Sequence, residues 1–387
     1  MWDEDEDGRL IGQPSSRRRA VARSEFDFIK RIRQQALQRQ TLRPHEAREP
    51  SASSRRLHYS SLLCGIGDDA AVIRGRAGHD SLITADLLVE DIDFRRATTV
   101  PYLLGQKALA VSLSDIAAMG ARPRWALLSI GVPPDIWDSN FLEKFYEGFY
   151  ALADQHSVTL VGGDLSRTTE RIVIDSIVVG EAPRGRAVLR SGARRGDRIF
   201  VTGALGGSAA GLQLLESGAR LKRSSVLKNR RKVSPTVQKH SLSGAREKLM
   251  LRHLCPSPRV DWGLLLGEQK LASAMIDLSD GFSSDLAHMC RESGVGALID
   301  AARLPVNPLI EQARSESFDA SRLALDGGED YELLFTVRPR NAARLPDEIG
   351  GVRATEIGEV TDASDGIKLR HGERVENLRP QGFQHFK

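Results

Sequence analysis

The sequence predicts a mixed α+β chain of two domains. Short apolar runs with strand character alternate with longer runs of helical periodicity. The alternation restarts near Arg186, where "SGARRGDRIFVTGALGGSAAGLQLLESG" reads as strand, Gly-rich turn and helix. The chain also has 387 residues, more than one ordinary domain needs. The expected extents are a disordered tail over 1–23, a first domain over 24–184 and a second over 185–387 with a basic insertion near 220–245.

The first 23 residues run from acidic to Gly/Pro/Ser-containing to basic and are too polar to bury a core. They lack the apolar centre of a secretory signal. "SEFDFIKRIRQQALQRQ" (24–40) predicts a helix, with Ser24 as its cap and Phe28, Ile29, Ile32 and Leu37 as an apolar stripe. Residues 41–60 read as a linker. Strands are expected at "DAAVI", "SLITADLLVE", "RWALLSIGV", "SVTLVGGD" and "RIVIDSIVVGEA". Between them lie the helical runs "LLGQKALAVSLSDIAAMG" and "SNFLEKFYEGFYALADQHS". In the second half, "AMIDLSDGFSSDLAHM" (274–289) reads as a buried strand, a short acidic turn and a helix. Phe282, Leu286, Met289 and Cys290 share one face of that helix.

No apolar run approaches the roughly 18 residues of a membrane span. The three cysteines, Cys64, Cys255 and Cys290, are far apart and form no C-x-x-C pair. That excludes a disulfide framework and a zinc site of that type, and fits a reducing cytoplasm. The formal net charge is +4, with its basic excess concentrated from Arg220 onward. No aromatics interleave those charges for base stacking, which argues for a solvated insertion over a nucleic-acid surface.

The chemistry is carried by acids placed against apolar or glycine-rich sequence. Asp68 and Asp69 follow Gly-Ile-Gly; Asp86 is central to an apolar strand; Asp115 follows Ser114 in an apolar helix. Asp164 follows Gly162–Gly163, Asp277 and Asp280 flank Leu278–Ser279, and Glu329 and Asp330 follow two glycines. Each alone has an ordinary structural reading, such as a helix cap or a turn residue. Together they are costly to bury without partners, and no matching set of apolar-flanked Lys or Arg is visible. Divalent cations resolve the conflict. Mg²⁺ takes hard oxygens, keeps waters and shares phosphate ligands. The residue types therefore point to a Mg²⁺–phosphate site assembled from several segments. There is no P-loop and no protein-kinase motif. The run Val201–Gly211 is either a phosphate-receiving helix start or a place of close strand–helix packing.

In order along the chain, "SEFDFIKRI", "GIGDDAAVI", "KALAVSLSDIAAMGARP", "LVGGDLSR", "LRSGARRGDRIFVTGALGGSAAGL", "MIDLSDGFSSDL", "GGEDYELLF" and "GFQHF" resemble the thiamine-monophosphate kinase family. That family sits in the superfamily named for aminoimidazole ribonucleotide synthetase. The resemblance implies the two-domain fold of that superfamily, with N-terminal sheets pairing across a homodimer. It implies direct transfer of the γ-phosphoryl group of ATP to thiamine monophosphate with several Mg²⁺ ions. Carried over by position, the metal ligands are Asp69, Asp86, Asp115, Asp164, Asp277 and Asp280, with Thr84 near one ion. Gly163, Asp164, Arg190 and Ser279 match ATP contacts. Glu329 and Phe383 match positions near thiamine. No single general base is implied, since the transfer asks for alignment and charge neutralisation.

The chain departs from the family pattern Asp-x-x-Val-Glu-Gly-Val-His-Phe, reading "DLLVEDIDF" from Asp86. Asp93 stands where the family has a substrate-associated histidine, so it is expected to tune substrate binding. Asp91 stands where the family has glycine, and Ala85 replaces a usual threonine. Two alternatives remain at this level. One is another ATP-using enzyme of the superfamily acting on a different small substrate. The other is a nucleic-acid-binding module using the basic insertion.

Overall fold

The protein is described by a computed structural model over residues 2–4, 10–12, 25–41, 62–64, 72–221, 242–313 and 318–383. Asp68, Asp69, the 42–61 stretch and most of the basic insertion lie outside the described residues. The chain forms two compact units. One contains 12–112 and 122–185; the other contains 2–11, 113–121 and 186–387. The cut after Gly185 falls one residue beyond the expected boundary, but the transfer of 113–121 to the second unit is not legible from pattern alone.

Two short strands, β1 (Trp2–Glu4) and β2 (Leu10–Gly12), pair with each other where disorder was expected. The apolar Trp2, Leu10 and Ile11 supply the strand-forming residues on either side of a run of acids and glycine in the sequence. Strands β3 (Leu62–Cys64) and β4 (Val72–Ile73) form a further small pair.

The first unit is built on a four-stranded sheet. Its strands are β5 (His79–Val89), β6 (Arg122–Val132), β7 (Thr159–Arg167) and β8 (Val173–Pro183), in the order β5-β8-β6-β7. Only the β6–β7 pair is parallel, as their connection through a helix requires. Helix α1 (Glu25–Thr41) buries Phe28, Ile32 and Ala36, and Phe28 meets Trp137 and Tyr146 edge-on. Ile29 is half-buried; the side chain of Leu37 lies outside the described residues. Helix α2 (Pro101–Ala118) is apolar nearly all round, the pattern of a buried helix. It meets helix α3 (Phe141–His156) at backbone distance. A Cβ added at Gly105 would lie 1.9 Å from the Phe145 carbonyl oxygen, and one at Gly148 would lie 1.8 Å from that of Tyr102.

The second unit carries a larger sheet. Its strands are β9 (Arg198–Thr202), β10 (Ala272–Asp277), β11 (Val295–Asp300), β12 (Leu333–Val337), β13 (Glu348–Ile349), β14 (Val352–Asp362), β15 (Ile367–His371) and β16 (Arg374–Asn377). They run in the order β10-β12-β9-β14-β11-β15-β16, with β13 on β14. Its longer helices are α4 (Gly207–Glu216), α5 (Leu242–Leu254), α6 (Val260–Glu268) and α7 (Phe282–Ser293). One face of the sheet presents Ile199, Val201, Ile276, Leu334 and Ile357 to Phe282, Leu286, Met289 and Cys290 of α7. That is the helix face the sequence periodicity singles out. On the other face Phe200 stacks on Phe335 at 5.5 Å, with Trp262 of α6 beside them. The 113–121 segment joins this unit for a steric reason. A Cβ at Gly263 would lie 2.2 Å from the Ala117 carbonyl oxygen, and one at Gly267 would lie 2.5 Å from that of Gly120. Glycine there lets the two backbones touch.

Candidate active site

Strand β10 ends at Asp277, which is 3% exposed. The turn that follows is held by backbone bonds to two remote segments. Leu278 N–H donates to the Glu332 carbonyl at 2.8 Å, and Tyr331 N–H to that of Leu278 at 2.9 Å. Glu329 N–H donates to the Ser279 carbonyl at 2.8 Å, and Phe383 N–H to that of Asp280 at 2.9 Å. The expected nucleotide residue Ser279, the expected metal residue Asp280 and the expected substrate residues Glu329 and Phe383 are therefore neighbours along one hydrogen-bonded seam. Phe383 is 52% exposed there.

Neither Asp277 nor Asp280 caps α7, the ordinary reading for an acid at such a junction. The cap position is Gly281, without a side-chain cap bond. The turn is instead tied by Asp285, whose carboxylate accepts from Asp280 N–H at 3.2 Å and Gly281 N–H at 3.1 Å. Asp285 is buried. That burial, together with the charges of Asp277 and Asp280, pushes its carboxyl up to about 8. Three carboxylates crowd one turn, an arrangement a cation would relieve. Ser114, fully buried in α2, donates to Asp277 Oδ2 at 2.7 Å. The adjacent Asp115 is half-buried.

The following loop is strained. Glu329 and Tyr331 both have left-handed φ, 63° and 49°. Their conformation is fixed from three sides. Glu329 Oε2 lies 2.9 Å from His253 Nδ1 on α5. Asp330 accepts from Gly206 N–H at 2.5 Å and Ser208 N–H at 3.0 Å. Glu332, 0% exposed, receives Thr202 Oγ1 at 2.7 Å, Arg252 Nη2 at 2.8 Å and the Nε–Nη2 edge of the Arg259 guanidinium. Burial pushes the Asp330 carboxyl up to about 6 against the pull of those two N–H groups. The Gly-rich run Val201–Gly211 is thereby explained. Two N–H groups at the start of α4, those of Gly206 and Ser208, are taken by Asp330, which favours the packing reading of this helix end.

In the first unit Thr84 and Asp86 lie on the half-buried face of β5. Ser112 of α2 donates to Asp86 Oδ2 at 2.7 Å. Asp164 is exposed on β7, after Gly163 with φ 146°. A Cβ at Gly163 would lie 2.0 Å from the Leu128 carbonyl oxygen, so only glycine fits. The register runs Asp86, Ser176, Leu128, Gly163 across four strands. At about 4.8 Å per strand, the backbones at Asp86 and Gly163 are about 14 Å apart. Asp86 and Asp164 thus do not close on one ion within this sheet. Among the described residues, no three His, Cys, Asp or Glu side chains form a metal-holding group by themselves. Asp69 lies outside the described residues. Arg190 is exposed.

Asp93 sits in the turn after β5, where its Oδ2 accepts from Val89 N–H at 2.8 Å. Asp91 has φ 72°, which accounts for a glycine in the family pattern; Asp is among the residues that tolerate this region. Sequence reasoning missed Asp285, His253 and Lys107. Lys107 is a buried, apolar-flanked cation, although the bond from its Nζ goes to a backbone carbonyl and not to an acid side chain. It stands in "GQKALAV", is 1% exposed, and its Nζ donates to the Asp93 carbonyl at 3.3 Å. The flanking alanines and leucine were the available signal.

The chain matches the family "AIR synthase related protein, N-terminal domain" over residues 67–182 and "AIR synthase related protein, C-terminal domain" over 194–369. It is 40% identical over 325 residues to the thiamine-monophosphate kinase of Escherichia coli, covering 83% of this chain and 91% of that one. It is 35% identical over 340 residues to the Bacillus subtilis enzyme of the same name, covering 87% and 98%. Among solved structures, thiamine-monophosphate kinase from Stenotrophomonas maltophilia superposes with a TM-score of 0.69 at 37% identity, covering 82% of this chain and 93% of that one. AaThiL complexed with AMPPCP and TMP superposes at 0.66 with 32% identity, covering 81% and 89%. The Escherichia coli hydrogenase maturation protein HypE, at 17% identity, shares the fold. The acidic seam, the two-unit architecture and these near full-length likenesses lead to one statement: the chain belongs to the thiamine-monophosphate kinase family.

Proposed function

We propose that this protein transfers the γ-phosphoryl group of ATP to thiamine monophosphate, giving thiamine diphosphate and ADP. The observation that carries the reading is the seam joining Ser279–Asp280, Glu329 and Phe383, because it brings together residues the family places at nucleotide, metal and thiamine. A phosphate oxygen of thiamine monophosphate attacks the γ-phosphorus as the bond to the β–γ bridging oxygen breaks. A phosphate monoester has its second pKa near 6, so the attacking oxygen is already unprotonated at neutral pH and needs no general base. The chain's own task is alignment of the two phosphates.

Mg²⁺ fits the donors, which are carboxylates with one hydroxyl and too sparse to enclose an ion without waters and phosphate oxygens. Thr84, Asp86 and Asp164 would hold ions in the first unit, and Asp115, Asp277 and Asp280 in the second; Asp69, the remaining candidate ligand, lies outside the described residues. Once bound, Mg²⁺ neutralises charge on the transferring phosphoryl. Gly163, Asp164, Arg190 and Ser279 contact ATP; Glu329 and Phe383 contact thiamine, and Asp93 shapes the substrate end.

The same reading makes the protein a homodimer. The outer face of β5 exposes Ile83 (72%) and Leu87 (58%), with Val179 of β8 opposite Ile83 and Ile177 opposite Ala85 between them. Ile83→Asp with Leu87→Asp is expected to halve the mass seen in sedimentation equilibrium; an unchanged mass removes this face from the interface. Among the described residues no helix is long and apolar enough to cross a membrane. The buried thiol of Cys290 supports a reducing cytoplasm. The test of activity is incubation with MgATP and thiamine monophosphate, with products separated by chromatography. Equimolar ADP and thiamine diphosphate are expected. ADP with free phosphate and intact thiamine monophosphate points to a different acceptor.

A further inference from the structure

The turn from Val89 to Phe94 is closed from inside. Glu90 N–H donates to the Ile172 carbonyl across the sheet at 3.0 Å, so Val89 N–H points the opposite way, to the open edge of β5. That N–H is taken by Asp93 Oδ2 at 2.8 Å, while Asp93 N–H returns to the Val89 carbonyl at 2.9 Å. Asp91, in the left-handed region, donates its N–H to the Phe94 carbonyl at 2.7 Å. Beneath the turn, Lys107 reaches up from α2 to the Asp93 carbonyl. The buried Glu90 carboxylate accepts from Ile172 N–H at 2.9 Å and pairs with Arg96, which also reaches Asp135 at 3.0 Å. An aspartate in place of the family's histidine is thus spent on the backbone of its own turn.

We propose that Asp93 and Lys107 are positioning residues: the Asp93 carboxylate closes the turn as a hydrogen-bond acceptor, and Lys107 clamps it from below, so that they set thiamine-phosphate binding through the shape of the turn. Asp93 therefore acts by its acceptor geometry and not by its charge on the substrate. The kinetic part rests on the thiamine-phosphate reading; the structural part does not.

The experiment compares Asp93→Asn, Asp93→Ala and Lys107→Met. Asn keeps an acceptor oxygen at the same reach without the charge; Ala keeps neither. Met keeps the buried stem of Lys107 without its donor. Amide hydrogen exchange is read at Val89 and Asp93 in the substrate-free protein. Michaelis constants are read for thiamine monophosphate and for ATP. Val89 exchange is expected to rise at least about tenfold in Asp93→Ala, as a lost charge-assisted hydrogen bond implies, and that of Asp93, whose N–H closes the same turn on the Val89 carbonyl, to rise in Lys107→Met as the turn loosens. The constant for thiamine monophosphate should rise about tenfold in these two variants, while that for ATP moves less than about threefold. Asp93→Asn should show at most about a third of each Ala effect. Asn behaving like Ala in the Michaelis constant, or Val89 exchange unchanged in Ala, overturns the proposal. Wild-type protein that makes no thiamine diphosphate overturns the kinetic reading, and the exchange data still decide the turn.

Discussion

Replacing Asp277 or Asp280 by Asn is expected to lower turnover at saturating Mg²⁺ by at least about a hundredfold while the fold survives. On the proposed reading each substitution removes a negative charge that would hold cations against the transferring phosphoryl, an electrostatic contribution of this size in other enzymes. The fold survives for reasons visible in the turn. Ser114 donates to Asp277 Oδ2, and the amide oxygen of Asn can accept the same bond. Asp280 contributes its backbone N–H to Asp285 and its carbonyl to Phe383, neither of which the substitution touches. Removing either charge also relieves the crowding on Asp285. The melting temperature without Mg²⁺ should therefore hold or rise, as circular dichroism would read. Full activity in either variant would remove these residues from the site.

Arg259→Met is expected to cost about 3–5 kcal/mol of stability, on the order of 10 °C in melting temperature. Glu332 is 0% exposed and depends on Arg259 and Arg252 for its charge partners. Burial alone would push its carboxyl up; Arg259 first, then Arg252, outweigh that and hold it below the ordinary range. The folded pKa is thus depressed. The contribution of this cluster is present above the ordinary value of 4.5 and is lost as pH falls below it. Losing Arg259 leaves this buried charge with Arg252 as its remaining cation at the foot of the Glu329–Tyr331 loop. Adding Glu332→Gln removes that charge and should recover part of the loss. If Arg259→Met melts within 2 °C or so of wild type, the cluster is not the anchor described here.

Much of the second unit was legible because its signals are local. The strand, acidic turn and helix of 272–293 announce themselves by period and composition, and Phe282, Leu286, Met289 and Cys290 pack where the period puts them. What escaped depends on pairing between distant segments. Asp330 reads as one more acid after glycines until Gly206 and Ser208, over a hundred residues away, are seen to donate to it. Asp285 looks like an ordinary helix residue, because its partners precede the helix. The grouping of 113–121 with the second unit rests on glycines in α6 that no periodicity flags. Asp93 stands out in the sequence as a departure at a substrate-associated position, but nothing local shows that its carboxylate accepts from the backbone four residues earlier.

The most direct test of the account follows the phosphoryl group itself. With ATP labelled at the γ-phosphate, Mg²⁺ and thiamine monophosphate, a single turnover read by phosphorus NMR or radiochromatography should place the label in the terminal phosphoryl of thiamine diphosphate. Label recovered only as inorganic phosphate, with thiamine monophosphate unchanged, would contradict it.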